Sequence, residues 1–402
     1  MRLLLMTLAL VLITTNAHAV VGFLDSLCDS DKLSEPECDQ LYAQIGEDPP
    51  VSPLAGATLT IRGTATVNAS NPRISRDGVY VGWTRLTGGG GRFGTWQNGD
   101  AAGLSIGPSS GEVRTIDATG VVAGVDTATG LAFRSGVGGL PALNFEASAA
   151  YDMTDIDLIV GEAIDFTGGT FGAFARWDRQ TGSVYILSTV SALDFGPAAR
   201  LKALTADGLY AAGESTTGPA SGTFGTQAVL YDMTTDSASV LPFLPTPFTP
   251  NAVAHAISDD ATLVVGTHTG TLPVEWTTAP AAVNLLPTVV GTTSGTALAI
   301  AADGSAVCGS NGPHAVAWDA TRGYVRRLDH IVPDAVPVGC TLNSCTDMNA
   351  VGDRLVGNAT CSGEARVYEL QLPMPVPEPS GGLVAGALAL VPLALRRRSN
   401  AF

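Results

Sequence analysis

The sequence of 402 residues predicts an all-β protein, in the form of a seven-bladed β-propeller of four-stranded blades over residues 54–373. Three observations predict it. A short phrase that reads as strand, turn and strand occurs seven times. A second phrase, an alternating strand that ends in an aromatic residue, follows each copy. The composition is that of a turn-rich β protein: hydrophobic residues are 45% of the chain, with 47 glycines and 24 prolines, and charged residues are only 14%, against about 25% in an average soluble chain. That low charge excludes a long helical or coiled-coil protein. A net charge of −16, with 21 basic residues of which only Lys32 and Lys202 are lysines, excludes nucleic acid as a partner, which requires a basic footprint.

The first phrase is an apolar residue, a small polar residue, a turn often holding Asp-Gly, then strand formers and a glycine. Its copies are Ile74–Gly82 (ISRDGVYVG), Ile116–Gly124, Met153–Gly161, Leu204–Gly213 (LTADGLYAAG), Ile257–Gly266, Ile300–Gly309 and Met348–Gly357. The steps between them are 42, 37, 51, 53, 43 and 48 residues. The second phrase ends at Trp96, Phe133, Trp177, Tyr231, Trp276, Trp318 and Tyr368. Hairpin signals such as Asp178–Gly182 (DRQTG) then introduce a fourth strand. Four short strands in roughly 40–45 residues is the size of a propeller blade. A lone four-stranded sheet cannot bury both faces, whereas sheets stacked around an axis can, and they leave few exposed edges. The aromatics are expected to pack blade against blade, and the glycines to permit turns or close backbone approach.

The last aromatic strand has no fourth strand after it. Ala57–Thr64 (ATLTIRGT), a strand candidate ahead of the first phrase, is expected to fill that place and tie the chain ends together. Residues 20–53 read as a small N-terminal extension and linker containing Cys28 and Cys38.

The two ends read as addresses. Arg2, an apolar run from Leu3 to Ile13 and the small-x-small site Ala17-His18-Ala19 form a secretory signal peptide, with cleavage expected after Ala19. At the other end stand Pro377-Glu378-Pro379, an apolar stretch of 15 residues from Gly381 to Leu395, and Arg396-Arg397-Arg398. As a helix that stretch is about 22 Å long, short of the ~30 Å hydrocarbon core. The arginines are expected to stay in the cytoplasm, with the body of the chain outside. Without both ends the body carries a net charge of about −20.

Motif, short transmembrane helix and Arg cluster, in that order at residues 376–402, resemble the PEP-CTERM sorting signal of Gram-negative bacteria. The resemblance implies export through the Sec translocon, transient anchoring in the inner membrane, recognition and cleavage by an exosortase, and release or transfer to the cell surface. Such proteins usually accompany exopolysaccharide. His314-Ala315-Val316 ahead of Trp318, and Ala132-Phe133, are similar to the HAF repeats of bacterial extracellular propellers. The Trp-Asp pairs do not make a WD40 protein, because the Gly-His half of that signature is missing.

Six cysteines in an exported chain favour disulfides. Cys28 and Cys38 are expected to pair. Cys308, Cys340, Cys345 and Cys361 allow three connectivities, of which Cys340–Cys345 with Cys308–Cys361 is preferred. Zinc is the alternative, but no histidines stand at ligand intervals. Asp77, Asp207, Asp303 and Asp259-Asp260 share one place in the repeat and are expected on one face of the ring. They read either as a carboxylate ring for calcium or another ligand, or as favoured hairpin turns; the turn reading is preferred.

No catalytic motif occurs: there is no HExxH, GxSxG, P-loop or dinucleotide fingerprint. His255 and His314 lie in repeat strands and read as structural. A glycosidase pair needs no local motif, so an enzyme remains open. The expectation is a monomeric, non-enzymatic exported propeller, without cofactor, that binds or organises exopolysaccharide. The alternatives are a carbohydrate-active lyase or hydrolase working at the channel mouth, and a protein-interaction scaffold.

Overall fold

A computed structural model describes residues 56–373, apart from short stretches at 63–67, 88–89, 98–103, 106–110, 142–144, 157, 166–170, 179–182, 188–194, 218–224, 246–250, 290 and 320–323. The expected signal peptide, the extension with Cys28 and Cys38, and the sorting motif with its helix and arginines lie outside the described residues. Among the described residues, no helix is long and apolar enough to cross a membrane.

The described strands form seven four-stranded antiparallel sheets, numbered 1 to 7 here from the N-terminus. Their innermost strands are Asn68–Ile74, Glu112–Ile116, Ala147–Met153, Phe195–Leu204, Ala252–Ile257, Gly295–Ile300 and Cys340–Met348. In sheets 1 to 6 the strands pair in chain order from inside outward. Each sheet packs on the next, and the innermost strand of sheet 1 packs on sheet 7, so the ring is closed. The outer strand of sheet 7 is Thr58–Arg62, paired antiparallel with Glu364–Gln371 from Thr58 opposite Gln371 to Arg62 opposite Val367. The N-terminal end of the body therefore clasps its C-terminal end. The protein is an all-β propeller.

The recurring glycine has one cause. In sheets 2 to 7 the innermost strand carries a register irregularity: for example between Leu201 and Ala203, Ala254 and Ala256, and Ala297 and Ala299. One extra residue on the inner strand bulges it toward its neighbour. A carbonyl oxygen then presses on the second strand, so that a Cβ on Gly124, Gly161, Gly213, Gly266, Gly309 or Gly357 would lie 1.9 Å from it. Only glycine leaves that room. Sheet 1 differs. Its irregularity spans Asn71 and Pro72 between Ser70 and Arg73, with Asn71 at φ 52°. Gly82, opposite Arg73, stands one residue before the place of the other glycines, where sheet 1 has Trp83.

The aromatics join neighbouring sheets. Trp177 packs with Ala132 and Leu140 of sheet 2, Tyr231 with Phe174 of sheet 3, Trp276 with Leu241 of sheet 4, and Trp318 with Leu286 of sheet 5. The three indoles donate from Nε1 to the carbonyls of Pro141, Pro242 and Pro287, at 2.7, 2.8 and 2.7 Å. Each of those prolines follows a buried leucine at the end of the preceding sheet. The indole hydrogen bond removes the one polar penalty of burying the ring.

Two aromatics depart from this register. Trp177, Tyr231, Trp276 and Trp318 pair with residues two before the recurring glycine, and Trp96 pairs with Val81. Phe133 and Tyr368 pair with Gly124 and Gly357 themselves. They sit two residues earlier, and Ser135 and Leu370 hold the usual aromatic place. Both are still buried, and Tyr368 fills space that a Cβ on Gly357 would need.

The preferred cysteine connectivity is overturned. Cys308 pairs with Cys345 and Cys340 with Cys361. Cys308 lies on the second strand of sheet 6, facing the innermost strand of sheet 7, so this bond joins two sheets. Cys340 and Cys361 are register partners across the first two strands of sheet 7. Sequence distance favoured Cys340–Cys345, but both lie on one extended strand, which holds them too far apart for a disulfide.

Candidate functional site

The innermost strands surround a central channel of about 550 Å³. Its wall is built from a few positions of the repeat. The bulged residue of each inner strand gives Arg114, Tyr151, Lys202, His255, Leu298 and Thr346 in sheets 2 to 7. The residue after the recurring glycine is Glu162, Glu214, Thr267 or Asn358 on the second strands; Asn358 lines the channel, and the other three lie behind its lining.

On the side of sheets 2 to 4 these residues form a continuous polar chain. The Tyr151 hydroxyl donates to Glu162 Oε1 at 2.9 Å. Arg200 donates from Nε to Glu162 Oε2 at 2.6 Å and from Nη1 to Glu214 Oε1 at 3.3 Å. Lys202 Nζ lies 3.1 Å from the same Glu214 oxygen. Arg114 stands over the Tyr151 ring, 4.2 Å from its centroid, and pairs with Glu112 at 3.1 Å. Asn71 donates from Nδ2 to Glu112 Oε1 at 2.8 Å, which extends the chain into sheet 1. Glu162 and Glu214 have side chains only 7% exposed. A buried carboxylate must be paired, and here Arg200 serves both.

Burial and charge set the ionisation of the wall. Burial pushes the Tyr151 hydroxyl up to about 12, with Glu162 adding to the shift. Burial lowers Lys202, and Glu214 offsets this only in part. His255 is brought down to about 3 by burial and by the nearby cations Lys202 and Arg73, so its ring is neutral at pH 7. Thus His255, which reads from the sequence as a structural strand residue, stands in the channel wall.

Deeper in the wall, Asp152 and Asp347 tie neighbouring sheets together. Asp152 accepts from the Leu204 amide at 2.7 Å and the Thr115 hydroxyl at 2.9 Å. Asp347 accepts from the Ile74 amide at 3.1 Å, and Arg73 donates to the Thr346 carbonyl at 2.7 Å. Burial raises both carboxyls, Asp347 to about 6, against the lowering effect of Arg73 on that group.

The repeated turns lie at one end of the channel, and their aspartates are occupied locally. Ser75, Thr205 and Ser258 donate to Asp77, Asp207 and Asp260 at 2.6, 2.6 and 2.7 Å. Those carboxylates also accept from the amides of Val79, Leu209 and Thr262. Asp303 accepts from the Ser305 amide at 2.9 Å. These bonds hold Asp207, Asp260 and Asp303 below the usual carboxylate range. One oxygen of each of Asp77, Asp207 and Asp303 is taken up by its own turn, as the turn reading expects. Among the described residues no group of three His, Cys, Asp or Glu is arranged to hold a metal.

Sequence reasoning missed the channel wall because it attended to what repeats. The position two before each turn phrase reads Pro72, Arg114, Tyr151, Lys202, His255, Leu298 and Thr346 down the seven copies. That column, the least repetitive next to a repetitive motif, was the available signal.

No family model matches the chain, and no curated protein does. Solved structures do. An oligogalacturonate lyase from Vibrio parahaemolyticus superposes with a TM-score of 0.52 at 12% identity, over 79% of this chain and 94% of that one. An oligogalacturonate lyase in complex with manganese gives 0.50 at 11%, over 80% and 97%. A puromycin hydrolase gives 0.50 at 15%, over 78% of this chain and 54% of its own length. At such identities the likeness concerns fold alone, and it agrees with the sheet order in placing this chain among the β-propellers.

Proposed function

We propose that the protein is an exported propeller of the cell surface or extracellular matrix that binds saccharide in its central channel without transforming it. The observation that carries this reading is the polar chain Arg114–Tyr151–Glu162–Arg200–Glu214–Lys202. Its donors and acceptors are already fixed by one another, which lowers the ordering cost of binding a polyhydroxylated ligand. Two disulfides in the body, Cys308–Cys345 and Cys340–Cys361, favour an oxidising compartment, as do the signal peptide and PEP-CTERM-like tail expected from the sequence. Exosortase processing and a role in organising exopolysaccharide belong to the same reading. A glycan array of the protein lacking residues 1–19 and 376–402 tests it. Binding to microbial polysaccharides is expected; no binding to any would reject it.

A second reading, a saccharide lyase, has its own observation. Lys202, whose pKa burial lowers, lines the same channel as Tyr151 and His255 and is a residue type that serves as a general base when its pKa is brought down. The lyases among the similar structures act on oligogalacturonate by name. Incubation with oligogalacturonates separates the two readings: new unsaturated ends absorbing in the ultraviolet would establish the lyase, and unchanged substrate favours the binder.

A further inference from the structure

The two ends of the channel are not alike. At the turn end, Arg76 of sheet 1 pairs with Asp259 of sheet 5. Sheet 1 adjoins sheets 2 and 7, and sheet 5 adjoins sheets 4 and 6. This ion pair therefore crosses the channel axis rather than joining neighbours. A collar of short bonds narrows the same end: Ala350 donates its amide to Arg76 O at 2.9 Å, Ala302 to Ala350 O at 2.9 Å, and Asp259 to Ala302 O at 2.8 Å. The Ala206 amide donates to Asp259 Oδ1 at 3.3 Å, which holds the carboxylate facing the arginine. Asp152, Asp155 and Asp207 also act on the guanidinium, so the arginine is the resident cation of an acidic opening. At the opposite end no such pair crosses the axis among the described residues. There the pairings of Glu112 and Arg200 run along the wall. The side chains of Arg76, Asp259, Glu112 and Arg200 are all about a third exposed, so the ends differ in the direction of their ion pairs and not in exposure.

We propose that Arg76 stoppers the channel, making it a blind pocket reached from the end of Glu112 and Arg200, and that the protein takes a saccharide by its chain end rather than along its length. This rests on the saccharide-binding reading above. A volume of about 550 Å³ is within the range of pockets for small ligands, which suits a few sugar units and not a threaded polymer.

The test is a size series of oligogalacturonates and of cello-oligosaccharides, from dimer to decamer, together with polygalacturonate, titrated into the wild type and Arg76→Ala. The collar is made by main-chain amides and the Asp259 side chain, so the variant keeps its fold, checked by circular dichroism. For the wild type, affinity is expected to level off after the first few units, and protein bound per chain to stay constant as chains lengthen. In Arg76→Ala, bound protein is expected to rise with chain length several-fold between tetramer and polymer. Bound wild-type protein that rises in proportion to length would overturn chain-end binding. Chain-end behaviour unchanged in Arg76→Ala would overturn the stopper. No binding of any sugar to either protein would instead reject the saccharide-binding reading itself.

Discussion

Two arcs of the channel wall share one backbone and differ in everything they present. Sheets 2 to 4 show Arg114, Tyr151 and Lys202 at the bulge, backed by Glu162 and Glu214. Sheets 5 to 7 show His255, Leu298 and Thr346 at the same places, backed by Thr267 and Asn358. Both arcs have the bulge, the glycine beneath it and the turn that follows. The repeat therefore specifies a scaffold, and the columns that do not repeat specify what the scaffold offers. Function is to be sought in the arc where a costly set of buried charges is maintained.

The largest expected effect tests whether the scaffold is shared. Gly213→Ala on the charged arc and Gly309→Ala on the other each drive a Cβ into a carbonyl. Each is expected to lose about 1–3 kcal/mol or more, seen as equal falls in urea midpoint. A loss on one arc only would break the equivalence. Trp276→Ala, which removes a buried indole and its bond to Pro242, belongs to the same class, at about 3–5 kcal/mol.

Next comes the contrast between arcs. Glu162→Gln leaves Arg200 short of a carboxylate and is expected to cost about 1–3 kcal/mol. Thr267→Val on the opposite arc removes only a 3.5 Å contact to His255 and is expected to cost less than about 1 kcal/mol. Equal losses by denaturant titration would mean that the charged arc is no more tightly organised than its counterpart.

A smaller effect lies in pH. The Asp347 carboxyl is raised to about 6, so the folded state holds its proton more tightly than the unfolded chain does. Its stabilising contribution is complete below about pH 4 and is lost as pH rises through about 6. His255 works the other way, because a ring held near 3 resists the protonation that the unfolded chain accepts below about pH 6.5. The two slopes oppose each other between about pH 4 and 6, so Asp347→Asn, which keeps an acceptor for the Ile74 amide, is expected to make the melting temperature rise more steeply with pH over that range than in the wild type. An unchanged slope would place that titration elsewhere.

The scaffold was more legible than the site. Asp-Gly turns, spaced glycines and the strand Thr58–Arg62 are local or periodic signals, and they located the sheets and the clasp. Local signals also misled. Gly82 reads as the recurring glycine because nothing in the sequence marks the bulge that displaces it by one residue. Phe133 and Tyr368 read as equivalent to the tryptophans because an alternating strand buries either of two places. The Cys308–Cys345 bond depends on which strand of one sheet faces the next, and spacing along the chain does not carry that. The charged arc brings together single residues from strands about 40–50 residues apart, each unremarkable in its own segment.

The central claim is that the charged arc is the binding surface. Calorimetric titration of a saccharide identified by the array into wild type, Arg114→Gln/Lys202→Gln and Leu298→Ala tests it most directly. Loss of two charge-assisted contacts, at about 1.5–3 kcal/mol each, predicts at least about a hundredfold weaker binding in the double variant. Leu298→Ala is expected to stay within about threefold of wild type, with all three proteins folded. Equal weakening in both variants, or none in the double variant, would contradict the account.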